Sequence, residues 1–153
     1  MSFLEHKIPP PVVALVFGTA MWFLAKWTTP LDVPVGFRTV LAILIGAAGL
    51  GVMVAGVFSF SRAKTTVNPL KPDAATALVT GGIYRYTRNP MYLGMLLVLL
   101  GWCVFLDSPL APIGAVGFWL YIDHFQIRPE EKALTALFGG AFTDYMSQVR
   151  RWL

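Results

Sequence analysis

Residues 78–92 combine side chains that a protein could use to hold a flat, polar ligand beside an apolar surface. Gly81 and Gly82 allow a close backbone approach, and the tyrosines of the segment offer flat apolar faces that end in a hydroxyl group. Asn89 presents a donor and an acceptor suited to the edge of an adenine ring, and Arg88 could hold a carboxylate with a fork of donors. By composition alone, such a segment is more often a membrane-surface anchor among lipid headgroups.

A second polar feature is the carboxylate pair Glu130 and Glu131, which follows Pro129. Proline suits the first turn of a helix, and acidic residues there complement the helix dipole. An ordinary helix start therefore competes with a ligand-binding role. Asp123 and His124 present a similar choice between a base near a substrate and, more often, a local hydrogen bond at a membrane interface.

The composition indicates a membrane protein of one domain. Of its 153 residues, 56% are hydrophobic and 13% are charged, whereas soluble domains carry about 25% charged residues. The net charge of +4 is modest, and the positive residues cluster beside apolar blocks. This pattern is typical of membrane-protein loops and not of a nucleic-acid surface. The single cysteine, Cys103, excludes an intrachain disulfide and indicates no metal centre.

Four apolar runs predict membrane helices. They comprise residues 12–25, 40–60, 91–106 and 110–122. The first two, with their flanks, reach the roughly 20 residues that a spanning helix needs. The last two flank a turn at 107–109 and are shorter, which favours a thin or tilted hairpin. The N-terminus does not resemble a signal peptide, so we expect the first run to remain as a helix.

Small residues recur every fourth position in the second run, at Ala47, Gly51 and Ala55. Such a stripe would let another helix approach closely and would also permit a homodimer. Glycine and alanine are also common in membrane helices without any such role. The stripe therefore concerns packing and not catalysis.

The polar residues predict the topology. Residues 61–89 carry five lysines or arginines against one acidic residue, so the positive-inside rule places this loop in the cytoplasm. From Pro129 the apolar period becomes that of amphipathic helices, interrupted at Gly139 and Gly140. We therefore predict an all-α, polytopic membrane protein with about four transmembrane helices and both termini cytoplasmic, compatible with a bacterial inner membrane. The loop and the C-terminal helices would meet at the candidate site.

The order and spacing of short motifs resemble the isoprenylcysteine carboxyl methyltransferase family and the related phospholipid methyltransferases. The motifs are Leu-Val-Thr-Gly-Gly-Ile-Tyr at 78–84, Arg-Asn-Pro-Met-Tyr at 88–92, the pair at 130–131 and Phe-Gly at 138–139. The resemblance covers residues 68–152, whereas the first two helices match only in being apolar. It implies a helical membrane fold with an S-adenosyl-L-methionine pocket near the cytoplasmic face, within one domain: 1–60 would form two helices and 61–153 the catalytic region.

The resemblance also implies roles for individual residues. The residues expected to bind the cofactor are Thr76, Ala77, Leu78, Val79, Gly82, Tyr84, Asn89, Pro90, Met91, Tyr92, Glu130 and Glu131. The catalytic candidates are Arg88, Glu130 and Arg128, of which the arginines would steer an anionic acceptor or hold the methionine carboxylate. No metal is expected, because the sulfonium already activates the methyl group.

Three positions depart from the pattern of that family. Asn89 stands where the second motif has histidine, Thr76 replaces a pocket histidine of the eukaryotic enzymes, and Gln126 replaces an arginine near their substrate, with Arg128 close by. These departures are compatible with a cofactor pocket. They leave open whether a prenylcysteine is the substrate.

The expected function is methyl transfer from S-adenosyl-L-methionine to a lipidic or amphipathic small molecule in the bilayer. An isoprenylcysteine-like carboxylate and a phospholipid amine compete as the acceptor. A non-enzymatic membrane protein that binds a ligand or assists assembly is the alternative class. A transporter is least favoured, because the first two helices contain no carboxylate for ion coupling.

Overall fold

The protein is built from helices. The computed structural model describes residues 8–62 and 78–153, and no strand occurs in those ranges. The described α-helices are α1 Pro10–Ala25, α2 Val35–Arg62, α3 Pro90–Leu106, α4 Ala111–Ile122, α5 Arg128–Phe138 and α6 Gly140–Gln148. A short 3₁₀ helix, Gly82–Arg85, precedes α3, and a π turn, Asp123–Ile127, joins α4 to α5. The all-α class predicted from the sequence is confirmed.

Proline and glycine set several helix boundaries. Pro10, Pro90 and Pro129 each occupy one of the first two positions of a helix, where a missing N–H removes no intrahelical hydrogen bond. At the other end, α5 stops at Phe138 because Gly139 adopts a φ of 53°. Residues with a Cβ atom rarely adopt this conformation, so the predicted interruption at this position is confirmed.

The closest helix contact joins α2 to α3 through glycines. A Cβ atom on Gly49 would lie 2.6 Å from the carbonyl oxygen of Gly94. A Cβ atom on Gly101 would lie 2.8 Å from the carbonyl oxygen of Ala42. Both separations are shorter than side chains tolerate, so the two backbones approach this closely because glycine stands at each contact.

α2 meets α3 through glycines that lie outside the predicted stripe of Ala47, Gly51 and Ala55. Gly51 is exposed, and a Cβ atom added there would meet open space. The buried glycines of α2 are Gly49 and Gly56. Because α2 is rich in small residues along several faces, a spacing of four does not select the face that packs. The homodimer that the stripe would permit stays a prediction.

α1 and α4 pack against each other and against α3, away from α2. The rings of Phe17 and Phe118 meet edge to face with centroids 6.3 Å apart. The indole N–H of Trp102 donates to the carbonyl oxygen of Gly18 at 3.0 Å. This apolar core continues to Tyr92 at the start of α3, so the packed bundle holds the helix end that enters the candidate site.

Polar contacts fix the turn between α3 and α4. Asp107 is buried, has a φ of 54° and pairs with Arg38 of α2 at 3.2 Å. The Ser108 hydroxyl is hydrogen bonded to that of Thr28, 2.7 Å away. The turn predicted at 107–109 is therefore confirmed, and it also ties the α1–α2 connection to the end of α3.

Of the described helices, α2 alone is both long and apolar enough to cross a membrane. α1, α3 and α4 have 16, 17 and 12 residues, and 12 residues rise about 18 Å against a hydrocarbon core of about 30 Å. Helix length therefore does not confirm the predicted four spans. Large apolar side chains are nevertheless exposed on α1 and α2, among them Leu15, Val16, Ile43, Leu44 and Val54. Because water disfavours so extensive an apolar surface, this part of the molecule suits lipid.

We expect Gly94→Val to force α2 away from α3, because a Cβ atom at this position would lie 2.5 Å from the Gly49 carbonyl oxygen. Overpacking of this kind costs about 1–3 kcal/mol, which should lower the melting temperature of the detergent-purified protein. Gly51→Val is the matched control, since its side chain would enter open space. Equal melting temperatures for the two variants would contradict the glycine contact.

Candidate functional site

The loop before α3 is shaped by Gly82 and Tyr84. Gly82 has a φ of 62°, and a Cβ atom there would lie 2.8 Å from the Ser59 hydroxyl oxygen of α2, so the position requires glycine. Tyr84 is buried and meets Phe60 edge to face, with ring centroids 5.3 Å apart. Its carbonyl oxygen accepts a hydrogen bond from the Tyr145 hydroxyl at 2.7 Å. The loop is thereby held between α2 and α6.

Arg88 connects this loop to both C-terminal helices. Its Nη1 donates to the carbonyl oxygens of Met146 at 3.1 Å and Val149 at 2.5 Å, at the end of α6 where a positive charge is favourable. Its Nη2 donates to the Glu131 carboxylate at 2.6 Å. The predicted fork of donors is therefore divided: Nη1 binds main-chain carbonyl oxygens, and Nη2 binds a carboxylate that belongs to the protein itself.

Arg151 extends this contact into a chain of charges. It donates to both oxygens of Glu131, at 2.6 and 3.1 Å, and to Asp123 at 2.9 Å. Asp123 also accepts a hydrogen bond from Arg128 at 3.0 Å. We call Arg88, Glu131, Arg151, Asp123 and Arg128 the arginine–carboxylate network. Burial alone would raise the pKa of both carboxyl groups, but the arginine hydrogen bonds outweigh it and hold each pKa below its usual range.

The main chain of Arg151 is held by the same loop. Its carbonyl oxygen accepts hydrogen bonds from the Asn89 amide at 2.9 Å and the Thr87 hydroxyl at 3.4 Å. Asn89 lies outside the helical region, with φ −129° and ψ 57°, as expected before Pro90. In this structure the Asn89 amide nitrogen contacts the C-terminal segment, and its predicted contact with adenine stays a prediction.

Glu130 has a different environment from its neighbour. It accepts a hydrogen bond from the Tyr92 hydroxyl at 2.5 Å, and no lysine or arginine pairs with it within the described ranges. The residue keeps some exposed surface, but its carboxyl group is enclosed. This burial, opposed by the Tyr92 hydrogen bond and reinforced by the charge of Glu131, raises the pKa of Glu130 to about 8. Adjacent carboxyl groups whose pKa values move in opposite directions are typical of functional sites.

The remaining cofactor-binding candidates are packed side chains. Those beside α6 are Leu78, Val79 and Tyr84, in one apolar cluster with Phe142 and Tyr145. Those at the start of α3 are Pro90, Met91 and Tyr92. Thr76 and Ala77 lie outside the described residues. The structure thus brings the loop, the start of α3 and the start of α5 to one end of the bundle, where the sequence predicts the site.

Arg128 and Gln126, the two positions near the expected acceptor, differ in exposure. The Arg128 side chain is 56% exposed and is paired with Asp123. Gln126 is fully buried, and its amide donates to the carbonyl oxygen of Ile8 at 3.0 Å. Gln126 therefore joins the segment before α1 to the π turn, whereas the guanidinium of Arg128 remains accessible.

Sequence reasoning missed the contribution of Arg151 and the bridging role of Asp123. The available signal was the pair Arg150 and Arg151 after an amphipathic helix, in a chain with few charges. Adjacent arginines are equally typical of a membrane surface. Tertiary packing distinguishes the two arginines, because Arg151 binds Glu131 whereas Arg150 is exposed.

The fold and the site define a small membrane-type helical protein whose polar site lies at one end of the bundle, beside an enclosed carboxyl group. Residues 37–141 match the profile of the family described as phospholipid methyltransferase. The chain belongs to this family. The resemblance to membrane methyltransferases that the motifs predicted is confirmed.

Individual relatives agree with this family. The chain is 34% identical to protein-S-isoprenylcysteine O-methyltransferase of Tribolium castaneum over 149 residues, 97% of this chain and 53% of that protein. It is 30% identical to protein-S-isoprenylcysteine O-methyltransferase A of Arabidopsis thaliana over 96 residues, 62% of this chain and 48% of that protein. The chain thus spans about half the length of these relatives. It is also 46% identical over 63 residues to an uncharacterized protein of Haemophilus influenzae, 41% of this chain and the whole of that protein.

We expect Arg151→Met to loosen the C-terminal segment and the loop together, because it leaves Glu131 and Asp123 without their shared cation. The Arg151 side chain is 32% exposed, so solvent screening limits the cost to about 1–3 kcal/mol. Faster hydrogen exchange at residues 85–92 and 145–152 would reveal the loss. Arg150→Met removes the same charge from an exposed neighbour and should leave exchange unchanged. Equal exchange in the two variants would count against the arginine–carboxylate network.

We expect Glu130 to make stability depend on pH. Its folded pKa of about 8 exceeds that of an exposed glutamate, about 4.3, so the folded state favours the protonated form. The stability that this contributes is fully present below about pH 4.3 and is lost as pH rises through about 8. Glu130→Gln keeps an acceptor for the Tyr92 hydroxyl without a titrating proton. Between about pH 5 and 8.5 the wild-type melting temperature should therefore fall more steeply than that of the variant, and parallel curves would exclude the raised pKa.

Proposed function

We propose that the chain is an integral-membrane methyltransferase that uses S-adenosyl-L-methionine and acts on a lipidic or amphipathic acceptor. The family and the names of the relatives support this class of reaction. The observation that carries the proposal is the environment of Glu130. Its enclosed carboxyl group is oriented by Tyr92 and pairs with no lysine or arginine in the part of the chain that the structure describes, so it is suited to the positive charge of a ligand.

Each side chain of the site would have a separate task. When bound, S-adenosyl-L-methionine would supply a methyl group already activated on a sulfonium. Glu130 would hold the positively charged methionine part, and Tyr92 would fix the orientation of the carboxyl group. Arg88 and Arg151 would act as positioning residues, because they lock Glu131 next to Glu130.

An accessible cation near this end is Arg128 of the arginine–carboxylate network. Because its guanidinium is largely exposed and contacts the protein through Asp123, it could steer an anionic acceptor. The catalytic role predicted for Arg88 becomes an indirect one in this proposal, since its guanidinium is engaged by carbonyl oxygens and by Glu131.

We further propose that α1 to α4 all lie in the bilayer with the site facing the cytoplasm. Arg62, Arg85, Lys132 and Arg150 belong to the segments at the site end, which agrees with the positive-inside rule. α4, which is too short to span alone, would enter as a thin or tilted arm walled by α1 and α3. Both termini would then be cytoplasmic, as in a bacterial inner-membrane protein.

Two acceptor chemistries fit this site. An isoprenylcysteine-like carboxylate, suggested by the names of the relatives, could attack the methyl group without a general base. A phospholipid amine, suggested by the family description, must also lose a proton.

We expect Glu130→Gln to weaken the binding of S-adenosylhomocysteine, measured by calorimetry on detergent-purified protein. Loss of a charge-assisted hydrogen bond costs about 1.5–3 kcal/mol, which corresponds to a Kd roughly 10- to 150-fold higher. Because the contact needs ionised Glu130, wild-type affinity should also rise from about pH 6 to 8, and the variant should lose this dependence.

Asp144→Asn provides the matched control, since it removes an exposed carboxylate of α6 and should leave the Kd unchanged. The melting curves of the three proteins show that each is folded. Equal affinity in Glu130→Gln and Asp144→Asn would remove Glu130 from the cofactor site. No binding by the folded wild type would contradict the proposed donor.

A further inference from the structure

A long apolar groove lies between α1 and α2, with α3 as its floor. Its volume is about 1150 Å³. It runs from Pro11, Met53 and Met95 near the site to Trp22, Thr39 and Phe105 at the opposite end of the bundle. We call this feature the α1–α2 groove. It exists because α1 and α2 both pack on α3 and hardly touch each other.

The dimensions of the groove suit a lipid chain. Thr39 and Met53 are 14 residues apart on α2, a rise of about 21 Å, whereas one leaflet contributes roughly 15 Å of the hydrocarbon core. The groove is therefore longer than a leaflet is thick, and an extended acyl chain can lie along it.

The positive charge of Lys26 at the far end of the groove favours a lipid with an anionic headgroup. The ammonium of Lys26 lies 3.4 Å from the centroid of the Trp22 ring, which lines the groove. No carboxylate pairs with Lys26 within residues 8–62 and 78–153, whereas Arg38 at the same end is already paired with Asp107. Trp27, next to Lys26, is 85% exposed, as expected at the level of the headgroups. A cation that stacks on Trp22 and has no carboxylate partner among the described residues complements an amphiphile with an anionic head.

We propose that the α1–α2 groove binds one acyl chain of an anionic phospholipid, with the lipid phosphate held by Lys26. The headgroup then lies at the end of the bundle opposite to Glu130, so this lipid is not the methyl acceptor. Its chain fills the space that α1 and α2 leave open over α3. The proposal is independent of the methyltransferase reaction.

Native mass spectrometry of the detergent-purified protein titrated with phosphatidylglycerol tests the proposal, with phosphatidylcholine of the same chains for comparison. Gly46→Leu places a side chain in the groove, and a Cβ atom there meets no atom within 4 Å. Gly51→Leu is the matched control, since it also enters open space on α2 but lies outside the groove. We expect at least a tenfold loss of phosphatidylglycerol binding in Gly46→Leu and none in Gly51→Leu.

Lys26→Gln tests the headgroup contact separately. We expect it to weaken phosphatidylglycerol binding about fivefold and to leave phosphatidylcholine binding unchanged. Melting temperatures equal to that of the wild type confirm that the variants are folded. Retained phosphatidylglycerol binding in Gly46→Leu would overturn the groove as the site, and equal binding of both lipids by the wild type would overturn the role of Lys26. A lipid-free dimer that Gly46→Leu dissociates would show that a second copy of the chain occupies the groove.

Discussion

Five charged side chains join three segments that lie far apart in the sequence. Arg88 comes from the loop before α3, Asp123 from the π turn after α4, and Arg151 from the end of the chain. Glu131 stands at the centre, with its side chain 16% exposed and bonded by two guanidinium groups. Ion pairs contribute little when solvent surrounds them, but losing one partner of a sheltered pair leaves a charge without compensation. The position of Glu130, the residue before Glu131, depends on this arrangement.

The two neighbouring glutamates acquire opposite properties from the geometry of one helix. Successive side chains on α5 point about 100° apart, so Glu131 meets the arginines and Glu130 meets Tyr92. The first is held as a carboxylate, whereas the second has a raised pKa because it is enclosed without a cation. A carboxyl group in that state can ionise in response to a positively charged ligand, which an already paired carboxylate cannot do.

α3 connects the site to the rest of the bundle. One of its faces meets α2 backbone to backbone at Gly94, and another packs on α1 through Trp102. Its first turn carries Tyr92 against Glu130. These contacts belong to one helix of 17 residues. The packing of α3 against α1 and α2 therefore also positions the Tyr92 side chain. The α1–α2 groove and the polar site are therefore two consequences of the same central helix.

The sequence by itself determined the helical class, the helix that starts at Pro90 and the end of the bundle at which the polar residues gather. These features depend on local chemistry: apolar periodicity, the missing N–H of proline and the clustering of charge. Tertiary structure alone decided that Gly49 and not Gly51 meets α3, and that Arg88 and Arg151 enclose a carboxylate of the protein. Glycine spacing fits several helix faces, and an arginine accepts many anionic partners. The choice is made by contacts between distant parts of the chain, such as Arg88 and Glu131, which lie 43 residues apart, and no local pattern contains their geometry.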